Sequence, residues 1–246
     1  YWAFQRPKVV APPKVEDAAW QATDIDRFVQ AQREKEKLKP VAEADKVTLI
    51  RRVTFDLTGL PPTPEEIDAF VNDTSGSAWA VVVDRLLASP RFGERWGRHW
   101  LDVVRFGESS GKERNIPYRY AWRYRNYVID AFNADVPYDR FITEQLAGDL
   151  LPSKNAVEHD RLQIATGFLA MVPKDHNQRN RLQFQLDVVD EQVDPTFQAF
   201  LGLTVSCARC HDHKFDPILQ SDYYAIAGIF SNTESLHGTV RVIQNN

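Results

Sequence analysis

Apolar positions along the chain recur mainly three and four residues apart, the period of one helix face, and no stretch keeps a strict two-residue alternation. After a proline-rich lead-in from Arg6-Pro7 to Pro13, Asp24 is placed to cap a helix through Ile25, Phe28 and Val29 toward Leu38. Asp45 opens a second helix through Leu49, Ile50 and Val53. Thr63-Pro64-Glu65-Glu66 carries the fullest start signal: a hydroxyl cap, a proline where no N–H is needed, and Glu66 to close a capping box. Ser77 precedes a stripe of Trp79, Val82, Val83, Leu86 and Leu87, which Ser89-Pro90 ends. The next stripe holds Trp96, His99, Trp100, Val103 and Val104.

A polar loop follows from Gly107 to Pro117, then helices over about 119–132, 138–147 (stopping at Gly148) and 157–171. A long helix starts near Arg181 and meets Asp194-Pro195. The missing proline N–H predicts a break there, with Asp194 capping a fresh start whose buried face is Phe197, Phe200 and Leu201. A last helix covers about 221–231. The expected fold is all-α, an irregular helical bundle with long loops. One helical domain is expected over residues 21–246, with residues 1–20 as an extended N-terminal arm.

Composition changes this picture little. A chain of 246 residues can bury one substantial core. Its net charge of −4 gives no global field for nucleic acid. No apolar run approaches the roughly 20 residues of a membrane span. The opening Tyr1-Trp2-Ala3-Phe4 reads as the start of a mature form or of a segment excised from a larger chain.

The chemistry gathers near the end, in Ser206-Cys207-Ala208-Arg209-Cys210-His211-Asp212-His213-Lys214-Phe215-Asp216-Pro217, which holds the only two cysteines. Two thiols three residues apart can reach the two vinyl groups of one haem c, and the following histidine then supplies an axial nitrogen. Cys207 and Cys210 would attach the haem and His211 would be the proximal iron ligand. Three rivals stay open: a redox pair, a structural disulfide, and a zinc site with His211 and His213. His211 leaves only residues 212–246 behind it, none of them methionine, so a distal ligand must come from upstream, from His237 or from water. The motif's late position also argues against the small cytochrome c fold.

Several strings carry a family resemblance: Val53-Thr54-Phe55-Asp56-Leu57-Thr58-Gly59-Leu60-Pro61-Pro62-Thr63-Pro64, Glu94-Arg95-Trp96, Arg98-His99-Trp100-Leu101-Asp102, Gln145-Leu146-Ala147-Gly148-Asp149-Leu150-Leu151-Pro152, and Gly202-Leu203-Thr204-Val205 with the cysteine motif. They resemble the planctomycetal cytochrome-c-like domain, and the resemblance covers nearly the whole chain. It implies the middle domain of large secreted proteins, export to the periplasm or beyond, where c-type haem is attached, and an adjacent cytochrome domain. It implies no particular reaction; a polysaccharide is a partner only by the family's association with polysaccharide-degrading bacteria.

His99, between two tryptophans, is a core histidine, the distal ligand or an active-site histidine; His213 and Asp216 are further candidates for acid–base work beside the haem motif. Met171 is core filler before ligand, His176 sits in a polar loop, and His159 is solvated. Arg123 and Arg125, interleaved with aromatics from Tyr118 to Tyr127, could pair with haem propionates or lie on a solvated face. Asp187, Asp190, Glu191 and Asp194 form one acidic stripe, a solvated face before a site that binds calcium or shares a proton. The function expected is exported electron transfer with a redox partner protein or neighbouring cytochrome. The alternatives are a haem-dependent oxidoreductase on an extracellular substrate, and a non-haem structural or carbohydrate-binding module.

Overall fold

The computed structural model describes residues 4–17, 23–171 and 173–233, whose regular structure is helical with no β-strand among them. His237 lies outside the described residues. The chain divides into two compact units, Tyr1–Thr48 and Leu49–Asn246.

In the first unit, α1 (Asp24–Lys35) is capped by Thr23 rather than Asp24: Thr23 accepts from the backbone of Asp26, whose carboxylate returns the bond. A short hydroxyl one residue earlier closes the box that the expected cap could not. Arg27 donates to the carbonyls of Pro12 and Pro13, and Glu34 accepts from the backbone of Glu16 and Asp17, so residues 12–17 lie along this helix.

In the second unit, α2 (Lys46–Thr58) from Leu49 onward, α3 (Pro64–Asn72) and α4 (Ala78–Leu87) close a small core of Ile50, Phe70, Ala78, Val82 and Leu86. The Thr63/Glu66 capping box forms as its sequence requires. Within α4 the buried face is Ala78, Val82 and Leu86; Trp79 and Leu87 stand exposed.

The main core joins α5 (Pro90–Val103), α6 (Ala121–Asn133), α7 (Tyr138–Ala147), α8 (Ala156–Ala165) and the short α9 (Gly167–Ala170). The single helix expected over 157–171 is broken at Thr166, which ends α8. In α5 the buried positions are Gly93, Gly97 and Trp100, so the stripe is turned away from His99 and Val103, which are exposed. The cause is close packing: a Cβ at Gly93 would lie 2.4 Å from the carbonyl of Ile129 on α6, so this face is lined by absent side chains that a hydrophobicity pattern does not register. Met171 packs against this core.

A third core joins α10 (Arg181–Leu201) and α11 (Gln220–Ser231) around Val193, Val205 and Ala208. The break expected at Asp194-Pro195 does not occur, and α10 runs through. Proline forfeits one backbone bond and crowds the preceding turn, but here its ring is fully buried. Asp194 caps nothing and instead binds Arg105 at 2.5 Å and Gln198 at 2.6 Å. Leu201, expected inside, is exposed, while Phe197 and Phe200 are half-buried against the cores.

Candidate functional site

The cysteine motif lies on the turn between α10 and α11. Val205 and Ala208 are buried in the third core and anchor a 3-10 turn, Ser206–Arg209. With Ala208 pointing inward, Cys207 and Cys210 both emerge as exposed free thiols. The next residue, His211, is also exposed, and its Nδ1 lies 2.8 Å from the carbonyl oxygen of Asp212. A carbonyl only accepts, so Nδ1 carries the proton and the lone pair sits on Nε2.

His213 has the opposite tautomer. Its Nδ1 accepts the backbone N–H groups of Asp216 at 2.8 Å and Phe215 at 3.3 Å, which puts the proton on Nε2. The His213 side chain is buried, with the Asp216 carboxylate 3.5 Å from Nδ1. The structure therefore brings the two acid–base candidates together, where they close the 213–218 turn. A zinc site through Nε2 of His213 would require that proton to leave while Nδ1 keeps both its donors. Among the described residues no group of three His, Cys, Asp or Glu is placed to hold a metal ion.

Buttressing comes from the acidic stripe of α10, which is neither a solvated face nor a cation cage. Asp190 accepts from Arg209 at 3.2 Å and from the Tyr223 hydroxyl at 2.5 Å. Burial first, and then the Asp190 carboxylate, push the Tyr223 hydroxyl well above its ordinary pKa. The Arg209 carbonyl accepts from Gln220 and Tyr224, and Asp212 accepts from the Gln220 backbone, tying both ends of the motif to α11. Farther along α10, Asp194 and Glu191 face Arg105, and Lys112 faces Glu191.

The other candidates lie on the main core. His99 is not a core histidine: it is exposed on α5, edge-on to Trp96 at 5.4 Å between ring centres. Arg125 is paired with Glu108 at 2.8 Å, and Arg123 lies over the rings of Tyr120 and Trp122. Tyr124 and Tyr127 from the same stretch are buried, so that run is half core and half surface. His159 is exposed, as expected.

One cluster escaped the sequence. Lys174 and His176, in what reads as a polar loop, are both buried. Lys174 donates to the Ala170 carbonyl at 2.5 Å and lies 3.4 Å from the Tyr118 hydroxyl. Burial, opposed only by the Glu191 carboxylate, pulls its pKa from 10.5 down to about 8; burial pushes the Tyr118 hydroxyl up from 10.0 to about 12. His176 packs beside Phe184 with neither ring nitrogen hydrogen-bonded, and burial first, then Lys174, lowers its pKa. Nothing in the spacing of these residues marks them, since loop lysines and histidines are ordinarily solvated.

A pH dependence follows. Between pH 8 and 10.5 the unfolded chain holds the Lys174 proton more tightly than the folded one, so this residue's contribution is lowest below pH 8 and complete above 10.5. Urea denaturation should find wild type gaining on Lys174→Met by about 1.4 kcal/mol per pH unit across that window. A constant difference from pH 7 to 10.5 would refute it. Tyr118 acts oppositely, its stabilisation being lost as pH rises through about 12.

Fold and site thus define an all-α protein that presents two thiols and a metal-competent imidazole on one exposed turn. The family model described as PSCyt2: Protein of unknown function (DUF1549) matches residues 24–235, and the chain belongs to that family. No curated protein and no solved structure matches the chain. Among the described residues no helix is long and apolar enough to cross a membrane.

Proposed function

We propose that this domain carries a covalently attached c-type haem, with Cys207 and Cys210 as thioether donors and His211 as proximal ligand, and serves electron transfer in an exported protein. The observation that carries the reading is the pair of tautomers. His211 offers an outward Nε2 lone pair, oriented by its Nδ1–H on a backbone carbonyl, while its neighbour His213 has none to offer. Both thiols are free and exposed beside it, so the donor set fits the group. Bound haem would supply one-electron oxidation and reduction. The chain's own part is to hold the turn: Ala208 and Val205 anchor it, Arg209 on Asp190 fixes its approach to α10, and Gln220 and Tyr224 clamp its carbonyl side. The exposure of the turn favours transfer to a redox partner protein or a neighbouring cytochrome domain over chemistry in an enclosed site.

Matured in an export-competent host with haem-attachment machinery, the protein is expected to show a Soret band and a mass gain of one haem that survives denaturation. Cys207→Ser with Cys210→Ser removes both signals. Wild-type protein with neither signal would leave the cysteines to a disulfide, zinc or free thiols and sink the proposal. Low-spin iron in both redox states supports electron transfer; a high-spin, ligand-binding form supports the oxidoreductase instead. An unchanged spectrum in His99→Ala removes His99 as distal ligand.

A further inference from the structure

An open cleft of ≈ 740 Å³ lies away from the cysteine turn, between α2, α4 and α5. Arg51 and Arg52 of α2 and Arg95 of α5 line it, with Asp56 as its one carboxylate. Among the described residues none of these three arginines has an ion pair or hydrogen-bond partner, and Arg95 Nε is buried without one. Several other arginines are closely paired: Arg85 with Glu66, Arg125 with Glu108, Arg161 with Glu144, Arg209 with Asp190. In a protein of net charge −4, three guanidiniums around one cleft against a single carboxylate make it a local patch of positive charge that attracts an anion.

Placement of Arg95 is built into the fold. Gly59 ends α2 with φ +72°, a left-handed turn that glycine enters without strain, and its missing Cβ leaves room for the Arg95 side chain, whose Cδ would sit 3.1 Å from a Cβ there. The carbonyl end of α2 also favours a cation. Two exposed rings complete the cleft: Trp79 at 43% and Phe55 at 42% exposure, with Trp79 braced on Phe70 at 6.1 Å between ring centres.

We propose that this cleft binds a small molecule bearing a phosphate or sulfate ester on a flat ring. Guanidinium forks match the oxygens of a tetrahedral oxoanion two at a time, and three forks arriving from two helices call for more acceptors than a single carboxylate offers. Trp79 and Phe55 supply faces for the ring. The volume suits one small ligand, and the acidic chain disfavours a long polyanion. The site shares no residue with the haem motif and stands whether or not haem is attached.

The test titrates the full chain at low salt with phenyl phosphate, phenyl sulfate, inorganic phosphate and inorganic sulfate, by calorimetry and tryptophan fluorescence. Saturable binding of a phenyl ester is expected, at least ten-fold tighter than its inorganic ion. Arg51→Gln and Arg95→Gln should each weaken it at least ten-fold with the circular dichroism unchanged. Trp79→Ala should erase the advantage of the ester while leaving the inorganic ion bound. The relative affinity of phosphate and sulfate arms names the source. No saturable binding by any probe, or equal binding to Arg51→Gln/Arg52→Gln/Arg95→Gln and wild type, overturns the site. Equal affinity for ester and inorganic ion overturns the ring-bearing ligand.

Discussion

Glu144→Ala lowers the stability of the domain by about 3 kcal/mol, read as a melting temperature down by about 6–12 °C. Glu144 is 1% exposed on α7 and holds three partners. Arg161 of α8 grips it with both terminal nitrogens at 2.7 Å, Arg140 reaches it at 2.8 Å, and the buried Tyr127 hydroxyl of α6 donates at 2.9 Å. Burial by itself would raise the Glu144 pKa; the bonds from Arg161, Tyr127 and Arg140 outweigh it and bring the carboxyl below its ordinary value. Alanine leaves the Tyr127 hydroxyl buried without its acceptor and the Arg161 fork facing a void. Both arginines are about two-fifths exposed and regain water, which keeps the loss near the lower end for a broken buried pair. Glu144→Gln, which keeps the shape and an acceptor, should lose roughly half as much. The sign with pH is fixed by the lowered carboxyl: its contribution is full above the ordinary glutamate pKa and is lost as pH falls through the lowered one. Thermal melts at pH 7 and in mild acid check both statements, and a Glu144→Ala protein melting with wild type would dismiss the network as decoration.

Gly148→Ala is expected to cost at least as much, by a different route. A Cβ at Gly148 would sit 2.2 Å from the Leu162 carbonyl oxygen on α8 and 3.0 Å from its carbonyl carbon. The clash is with backbone, so no rotamer change relieves it. Either α8 moves off the junction, taking buried Leu162 and Ala165 with it, or the end of α7 distorts. Overpacking typically costs about 1–3 kcal/mol, and a clash with fixed backbone puts this site at the top of that range or above it. Gly228, in α11, has nothing within 4 Å of its Cβ position. Gly228→Ala therefore serves as the control and should gain up to about 1 kcal/mol from helix propensity. Equal behaviour of the two variants in denaturant would show that α7 and α8 do not meet as tightly as described. Glu144 and Gly148 lie one turn apart on the same seam, so their double variant should fall short of the sum.

That seam illustrates what local pattern does not carry. Gly148 reads as a helix stop, which it is, but also as the point where α8 crosses. In α5, the apolar residues promised a face through Trp96, His99 and Val103; the buried face runs through Gly93 and Gly97, because helices approach most closely where side chains are missing. Pro195 signalled a break, yet burial among its neighbours outweighs the lost backbone bond, and the acid before it serves Arg105 instead of a cap. His176 reads as a loop residue, and neither it nor Lys174 shows its burial in the local pattern, because the packing that buries them comes from other segments.

At the motif, residue order determined the chemistry on offer: two thiols and an imidazole at haem-attachment spacing, in a chain with no other cysteine. Helical period and cap residues likewise determined the all-α class and most element boundaries, because those signals are local. Only the tertiary structure decided which nitrogen of each histidine carries the proton. The spacing after Cys210 singles out His211, but not the tautomer of either ring: one meets a carbonyl and the other meets two backbone N–H groups, and their free nitrogens become opposite in kind. It decided as well that the acidic stripe of α10 grips Arg209 and Arg105, and that Arg51, Arg52 and Arg95, from two helices, meet in one cleft without a partner. Charge and lone-pair direction are set by what folding brings within 3 Å, and sequence neighbours do not report that.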